Sequence, residues 1–403
     1  MSGFSRTVGT VRLKGHYVQR IAEITMKPKL TWARAAAWRL RRQYLDRRAP
    51  AGSMLAVARR LCGLHAQLMS SAELTVWARV ADLDRTAVQR ALWEERTLVK
   101  TWAMRGTLHL LPADELPLWR AALSINPQFL REALWQKYFG ITLAELGRLT
   151  DAVGTALDGR VLTREELVRE VGRLTGSAAF ASKLGQSWGT VLRPAAFTGR
   201  LCFAPSVGQR VRFTHPDTWV SPMPPAVDPQ EAPAIIVRRF LTAYGPASYH
   251  DLARWWGGGN SVTTARQWID SLGAEASPVD LDSTPAWMLA ADARKLRDLP
   301  RTRSVRLLPA FDQYVVGASF HAEQLLPGDL RSRVYRPQGW ISPVLLVDGR
   351  MLGTWRHAVK GSRVEVVIEP FVKVPAWVRR AAGEEAERLA AFLGGTSSVA
   401  WKG

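Results

Sequence analysis

The stretch Leu98-Val99-Lys100-Thr101-Trp102-Ala103-Met104-Arg105-Gly106-Thr107-Leu108-His109-Leu110-Leu111 reads as two strands closed by a tight turn at Arg105-Gly106. Apolar side chains recur on both arms, and glycine supplies the positive φ that a short hairpin loop needs. Upstream the pattern is helical. Thr31 caps a helix carrying Trp32, Ala35, Ala36, Trp38, Leu40 and Leu45. Ser53 caps a second with Met54, Val57, Ala58 and Leu61 at i, i+3, i+4 and i+7, and a third spans Asp84–Glu95. Helices followed by a two-stranded wing are the order of a winged helix-turn-helix.

The order recurs twice. Leu143–Leu157, Arg164–Arg173 and a short helix over Ser187–Phe197 precede a hairpin of Leu201-Cys202-Phe203 and Val211-Arg212-Phe213. A Pro-rich linker over 222–233 follows. Then Ile235–Tyr244, Ser248–Trp256 and Val262–Leu272 precede a hairpin near Ala276–Ala290. Beyond residue 301 strands dominate: Ser304–Leu308, Val344–Val347, Arg350–Trp355 and Arg363–Ile368, with a terminal helix Ala376–Leu393. The predicted fold is α+β, three tandem winged helix-turn-helix domains (30–140, 141–221, 234–300) followed by a small C-terminal β-barrel over 301–403. Residues 1–29, without periodicity, are expected to be a basic, disordered arm.

Charge narrows the partner. The 403 residues hold 55 Lys+Arg against 35 Asp+Glu, a net +20, and only ten of the cations are Lys. Residues 1–48 carry twelve basic and two acidic side chains, 12 − 2 = +10, half of the excess. Such a surplus calls for an anionic partner, and arginine's fork suits phosphate and base edges. No apolar run is long enough to span a membrane. The two cysteines, Cys62 and Cys202, exclude a disulfide framework and a cysteine-based zinc module, and suit a reducing cytoplasm. The seven histidines (16, 65, 109, 215, 250, 321 and 357) have no metal-ligand spacing, so neither metal nor cofactor is expected.

The first unit also holds Leu64-His65-Ala66-Gln67. In an irregular stretch, residues i and i+2 project the same way, so His65 and Gln67 are expected to share a pocket where the pair holds and deprotonates a water. The competing reading makes His65 a core or capping residue. His109 and the pair Trp255-Trp256 read as structural, and Asp312 as a turn cap. Arg79, Arg105 at the wing tip, and the loop of Arg331, Arg333, Tyr335 and Arg336 are the candidate DNA contacts.

His65-Ala66-Gln67, Trp77-Ala78-Arg79 and Met104-Arg105-Gly106-Thr107-Leu108-His109 together resemble the AlkZ/YcaQ-like family of bacterial DNA glycosylases. Tyr244-Gly245-Pro246-Ala247, Leu307-Leu308-Pro309-Ala310-Phe311-Asp312 and Gly353-Thr354-Trp355-Arg356 extend the resemblance over about 30–393. The family's catalytic signature, Gln, an apolar residue, then Gln or Asp, maps onto His65-Ala66-Gln67, with His replacing the first Gln. The resemblance implies a monomeric, cytoplasmic, nucleoid-associated enzyme acting on double-stranded DNA that carries alkylated purines. It also implies excision of N7-alkylguanine adducts and crosslinks in self-resistance to DNA-alkylating antibiotics. The residues alone leave open a non-enzymatic winged-helix DNA-binding protein. An open cleft around His65, rather than a closed nucleobase pocket, is expected.

Overall fold

The computed structural model describes residues 28–402 apart from 126–131, 187–188, 258–260, 297–298, 300–302 and 318–321. The expected basic arm therefore lies outside the described residues, save Pro28 and Lys29, as do His16 and His321. Lys29 belongs instead to a strand, β1 (Lys29–Leu30).

The fold is α+β, with three small sheets and one larger one. The decisive hairpin forms as read. β3 (Leu98–Trp102) and β4 (Leu108–Pro112) are antiparallel, and β2 (Leu64–His65) adds to the outer edge of β4. Arg105 and Gly106 take φ of 59° and 67°, and successive left-handed residues of this kind reverse the chain with a twist that strands tolerate. β5 (Val161–Thr163) likewise flanks the hairpin of β6 (Cys202–Val207) and β7 (Arg210–Thr214). In the third sheet β8 (Ala276–Leu281) and β9 (Thr284–Leu289) pair, and β1 joins β8 in parallel.

Local chemistry starts the helices around these sheets. Thr142 with Glu145, Thr163 with Glu166, and Ser248 with Asp251 form reciprocal capping boxes, each satisfying amide donors that a helix start leaves open. The expected helix over Ser187–Phe197 is a 3₁₀ turn at Thr190–Leu192 running into a short helix, Arg193–Phe197. The helices Met69–Trp77 and Ala178–Gln186 are additions to the sequence reading.

The first helix, Trp32–Arg42, shares a core with Leu74, Trp77 and Ala78 of the unit that follows it and reaches beyond that unit. Its core residues cluster with Val279, Leu281 and Met288 of the third hairpin and with the C-terminal sheet. Trp32 N–H donates to Asp282 Oδ2 (2.8 Å), Arg39 Nη2 to Pro246 O (2.6 Å) and Gln43 Nε2 to Ala243 O (3.0 Å). The chain start thus ties the third unit to the terminal one.

The expected barrel is an open sheet. β10 (Val305–Leu308), β11 (Val344–Val347), β12 (Arg350–Lys360), β13 (Arg363–Pro370) and β14 (Thr396–Trp401) lie side by side in chain order, and β10 and β14 are its edges. The cause is the terminal helix Ala376–Leu393. It carries the chain back so that β14 pairs in parallel with β13, as a parallel crossover requires. The sheet grows outward instead of closing. Among the described residues no helix is long and apolar enough to cross a membrane.

Candidate active site

His65 stands where a helix ends and a two-residue strand begins. Helix Met54–Arg60 is terminated by Cys62 and Gly63, both left-handed (φ 61° and 93°). A Cβ on Gly63 would lie 2.6 Å from Leu111 Cδ2, so the turn demands glycine on both steric counts. Two other units pin this turn: Tyr244 Oη donates to Leu61 O (2.8 Å) and Gln313 Nε2 to Gly63 O (2.7 Å). Ala66 N–H then donates to Leu108 O (2.7 Å).

On this strand His65 pairs with His109 across β4, their rings edge to face at 5.4 Å. Phe311 stacks on the opposite side, 4.8 Å between centroids and 10° from parallel, and Trp340 meets Phe311 edge-on at 5.1 Å. His65 is 5% exposed, and its Nδ1 is buried with no hydrogen-bond partner. Burial first, and the Arg105 charge second, push its pKa down to about 3.

His109 is neutral for the same reasons. Its Nδ1–H donates to Thr107 O (3.0 Å), while Nε2 faces Arg105 Nη2 at 3.2 Å. Arginine can only donate, so Nε2 must accept, which fixes the tautomer. Burial, then Arg105, hold the His109 pKa well below the usual range. Both imidazoles are therefore uncharged at pH 7, and His65 keeps a lone pair available.

Arg105, expected at the wing tip on phosphate, is turned inward. Its Nη1 donates to Trp255 O, and burial lowers its pKa to about 10, leaving it cationic. Gly257 (φ 68°) makes the room: a Cβ there would sit 2.5 Å from Arg105 Cγ. Arg79 is a second correction. It is wholly buried and makes a two-pronged ion pair with Asp312, both contacts 2.7 Å, with a further bond from Nη1 to Thr75 O (3.0 Å). No phosphate can reach it there.

That ion pair explains how Phe311 is held. Phe311 has φ 58°, a conformation costly for a bulky side chain and kept only where surroundings enforce it. Immediately after it, Asp312 takes the Arg79 fork and caps the helix Gln313–Val316 by accepting from Tyr314 N–H (2.8 Å). Asp312 is thus a cap, as read, and an ion-pair partner besides. Trp255 and Trp256 are core, also as read.

Gln67 is exposed, separated from His65 by the buried Ala66. In the C-terminal loop, Arg331 pairs with Glu323 (2.6 Å) and Arg333 with Glu369 (2.7 Å). Tyr335 Oη donates to Val315 O (3.0 Å), with Arg254 over its ring. Arg336 is exposed and lines a cleft with Trp340 and Arg356, next to the aromatic that touches Phe311. The structure thus brings His65, His109, Arg105, Phe311 and Trp340 together, with Arg336 at the rim. Phe311, Trp340 and Gln313 had no assigned role in the sequence reading; the signal present was the Phe311-Asp312 string.

Residues 58–392 match the family model described as DNA glycosylase AlkZ-like. An interstrand DNA cross-link repair glycosylase from Streptomyces sahachiroi is 37% identical over 375 residues, covering 91% of this chain and 97% of that protein. The solved structure of Streptomyces sahachiroi DNA glycosylase AlkZ is similar with a TM-score of 0.84 and 35% identity. It is covered in full and accounts for 93% of this chain.

Proposed function

Because the chain belongs to the AlkZ-like DNA glycosylase family, we propose that it hydrolyses the N-glycosidic bond of N7-alkylguanine in duplex DNA, with His65 as general base and Gln67 orienting the water. Family membership sets aside the reading as a non-enzymatic binder. The relative is named for interstrand crosslink repair, and we extend that substrate class, together with self-resistance to DNA-alkylating agents, to this chain. We read the three helix–hairpin units as winged helices gripping the duplex, and the protein as a cytoplasmic, nucleoid-associated monomer.

Alkylation at N7 makes the purine cationic, so the base leaves without strong acid assistance. The C1′–N9 bond loosens toward an oxocarbenium-like sugar. A water attacks C1′ and gives a proton to the neutral His65 imidazole, while the C1′–N9 electron pair passes to the purine and discharges N7. The products are a neutral free base and an abasic site. Among the groups assembled around His65 none is an amine, so Schiff-base strand cleavage is not expected.

The observation that carries this reading is His65 itself, a neutral imidazole with an unpartnered buried nitrogen, clamped by Phe311 beside exposed Gln67. Its imidazole is uncharged at neutral pH, the form that can accept a proton. The test is product analysis on a duplex with a single N7-methylguanine. Mass spectrometry should find free N7-methylguanine, with the strand intact until alkali is added. Intact adducts, or cleavage without alkali, would overturn the assignment.

A further inference from the structure

A cleft of about 570 Å³ is lined by Trp38, Arg41, Arg42, Tyr44, Arg60 and Lys295. Four of its six walls are cations. Among the described residues, the carboxylate paired with these cations is Asp292, shared at long range, 3.7 Å from Arg42 and 3.8 Å from Lys295. Four positive charges against one negative leave a local +3 (4 − 1).

The cations are also held apart and aimed. Arg42 lies over the Trp38 ring at 5.4 Å and donates Nε to Thr242 O (2.9 Å), while Arg60 lies over Tyr44 at 5.9 Å. Stacking on an aromatic face fixes the guanidinium plane and leaves its N–H edge free to bond. Burial, and then repulsion from Arg60, lower the pKa of Arg42 against the opposing pull of Asp292. A cluster of this kind gains by taking up a dianionic or polyanionic oxygen group.

We infer that this cleft is a phosphate-binding site and that its occupant is a backbone phosphate of the substrate DNA, outside the lesion. Chain connectivity carries the choice of source. Arg60 closes the helix Met54–Arg60 and precedes His65 by five residues, so their Cα atoms are at most about 18 Å apart. At about 3.4 Å per base-pair step that is about five steps of duplex. This source rests on His65 marking the reacting centre; the phosphate chemistry of the cleft does not.

The test measures binding of undamaged duplex across a salt series, so it is independent of any loss of excision. The protein with Arg41→Ala and Arg60→Ala is compared with wild type and with the charge-keeping Arg41→Lys, Arg60→Lys protein. Losing one phosphate contact removes about 0.9 from the slope of log K against log salt, so the alanine pair, which empties the site, should flatten it by about 0.9. Extrapolated from a common affinity near 1 M salt, that is roughly 8-fold weaker binding at about 0.1 M. The lysine pair should retain most of the slope. If Arg60→Ala disturbs folding through its contact with Tyr44, Arg41→Ala with Lys295→Ala replaces it, since both side chains are exposed. An unchanged slope and affinity would overturn the site. If calorimetry shows sub-millimolar inorganic phosphate binding that the variants lose, while the DNA slope is unmoved, the cleft serves free phosphate and the DNA assignment is wrong.

Discussion

Replacing Asp312 by Asn tests whether the Arg79 fork is what holds the Phe311 turn in place. The substitution keeps the side-chain shape and an acceptor for Tyr314 N–H, because Asn caps helices as well as Asp. What it removes is the charge opposite a guanidinium that is 0% exposed. Arg79 would keep Thr75 O, a 3.5 Å contact to Gln43 Oε1 and a bond from Nη2 to the uncharged amide oxygen that also takes Tyr314 N–H, but no carboxylate. Leaving one member of a buried pair uncompensated costs about 3–5 kcal/mol. Against the 5–15 kcal/mol typical of a folded protein this is a large loss. Urea unfolding followed by tryptophan fluorescence should show it, and at 1 M salt equally, since a dry pair is little screened. Replacing both partners, Arg79→Met with Asp312→Leu, removes the stranded charge. It should recover all but about 1 kcal/mol, the residue being the lost cap. A loss below about 1 kcal/mol for Asp312→Asn, or one abolished by salt, would refute the reasoning.

Phe311→Ala should expose the His65 ring to water. Its pKa should then rise from about 3 toward the ordinary 6.5, still opposed by the Arg105 charge. The pH profile of kcat/KM, flat through pH 5–8 in wild type, should gain an acid limb moving into that range; a profile that stays flat contradicts the stack's role. Stability should carry the same signature. The folded pKa of His65 lies below its unfolded 6.5, so the unfolded chain binds more protons between about 3 and 6.5. The contribution is full above 6.5 and is lost as pH falls through that window. His65→Gln should flatten the acid side of the urea-midpoint curve, and an equally steep curve would show that other groups dominate. Gly63→Ala should lower stability by more than about 1 kcal/mol, through its positive φ and the Leu111 contact; a neutral thermal midpoint would mean the turn is slack.

Sequence periodicity revealed many of the helices and the hairpins of the three helix–hairpin units because their signals are local. Capping residues such as Thr142, Thr163 and Ser248 mark helix starts, and Arg105-Gly106 marks the decisive turn. What stayed hidden is long-range or against propensity. β1 pairs with β8 some 250 residues away, and nothing in Lys29-Leu30 announces a partner. Helix Met69–Trp77 buries Ser71, Ala72 and Leu74 through Trp77, so it lacks the one-sided stripe that betrays an amphipathic helix. β14, half-exposed and beginning Thr396-Ser397-Ser398, reads as a tail, which is why the sequence predicts a closed barrel where the sheet is open. At the site His65 and Gln67 were legible as chemistry-bearing types. The inward turn of Arg79 and Arg105 was not, because burial of arginine follows from partners such as Asp312 and Trp255 O rather than from its own neighbours. Phe311 gave no local sign, since an aromatic at positive φ runs against its own preference.

The most direct measurement is the single-turnover rate of base release from an N7-methylguanine duplex, at saturating enzyme, for wild type, His65→Ala and Gln67→Ala. General-base catalysis contributes about 10²–10⁴-fold, so His65→Ala should slow release by that factor while binding undamaged duplex as wild type does. Gln67→Ala should slow it less. A His65→Ala rate within threefold of wild type would contradict the account, because the buried neutral imidazole would then be part of the core and not of the chemistry.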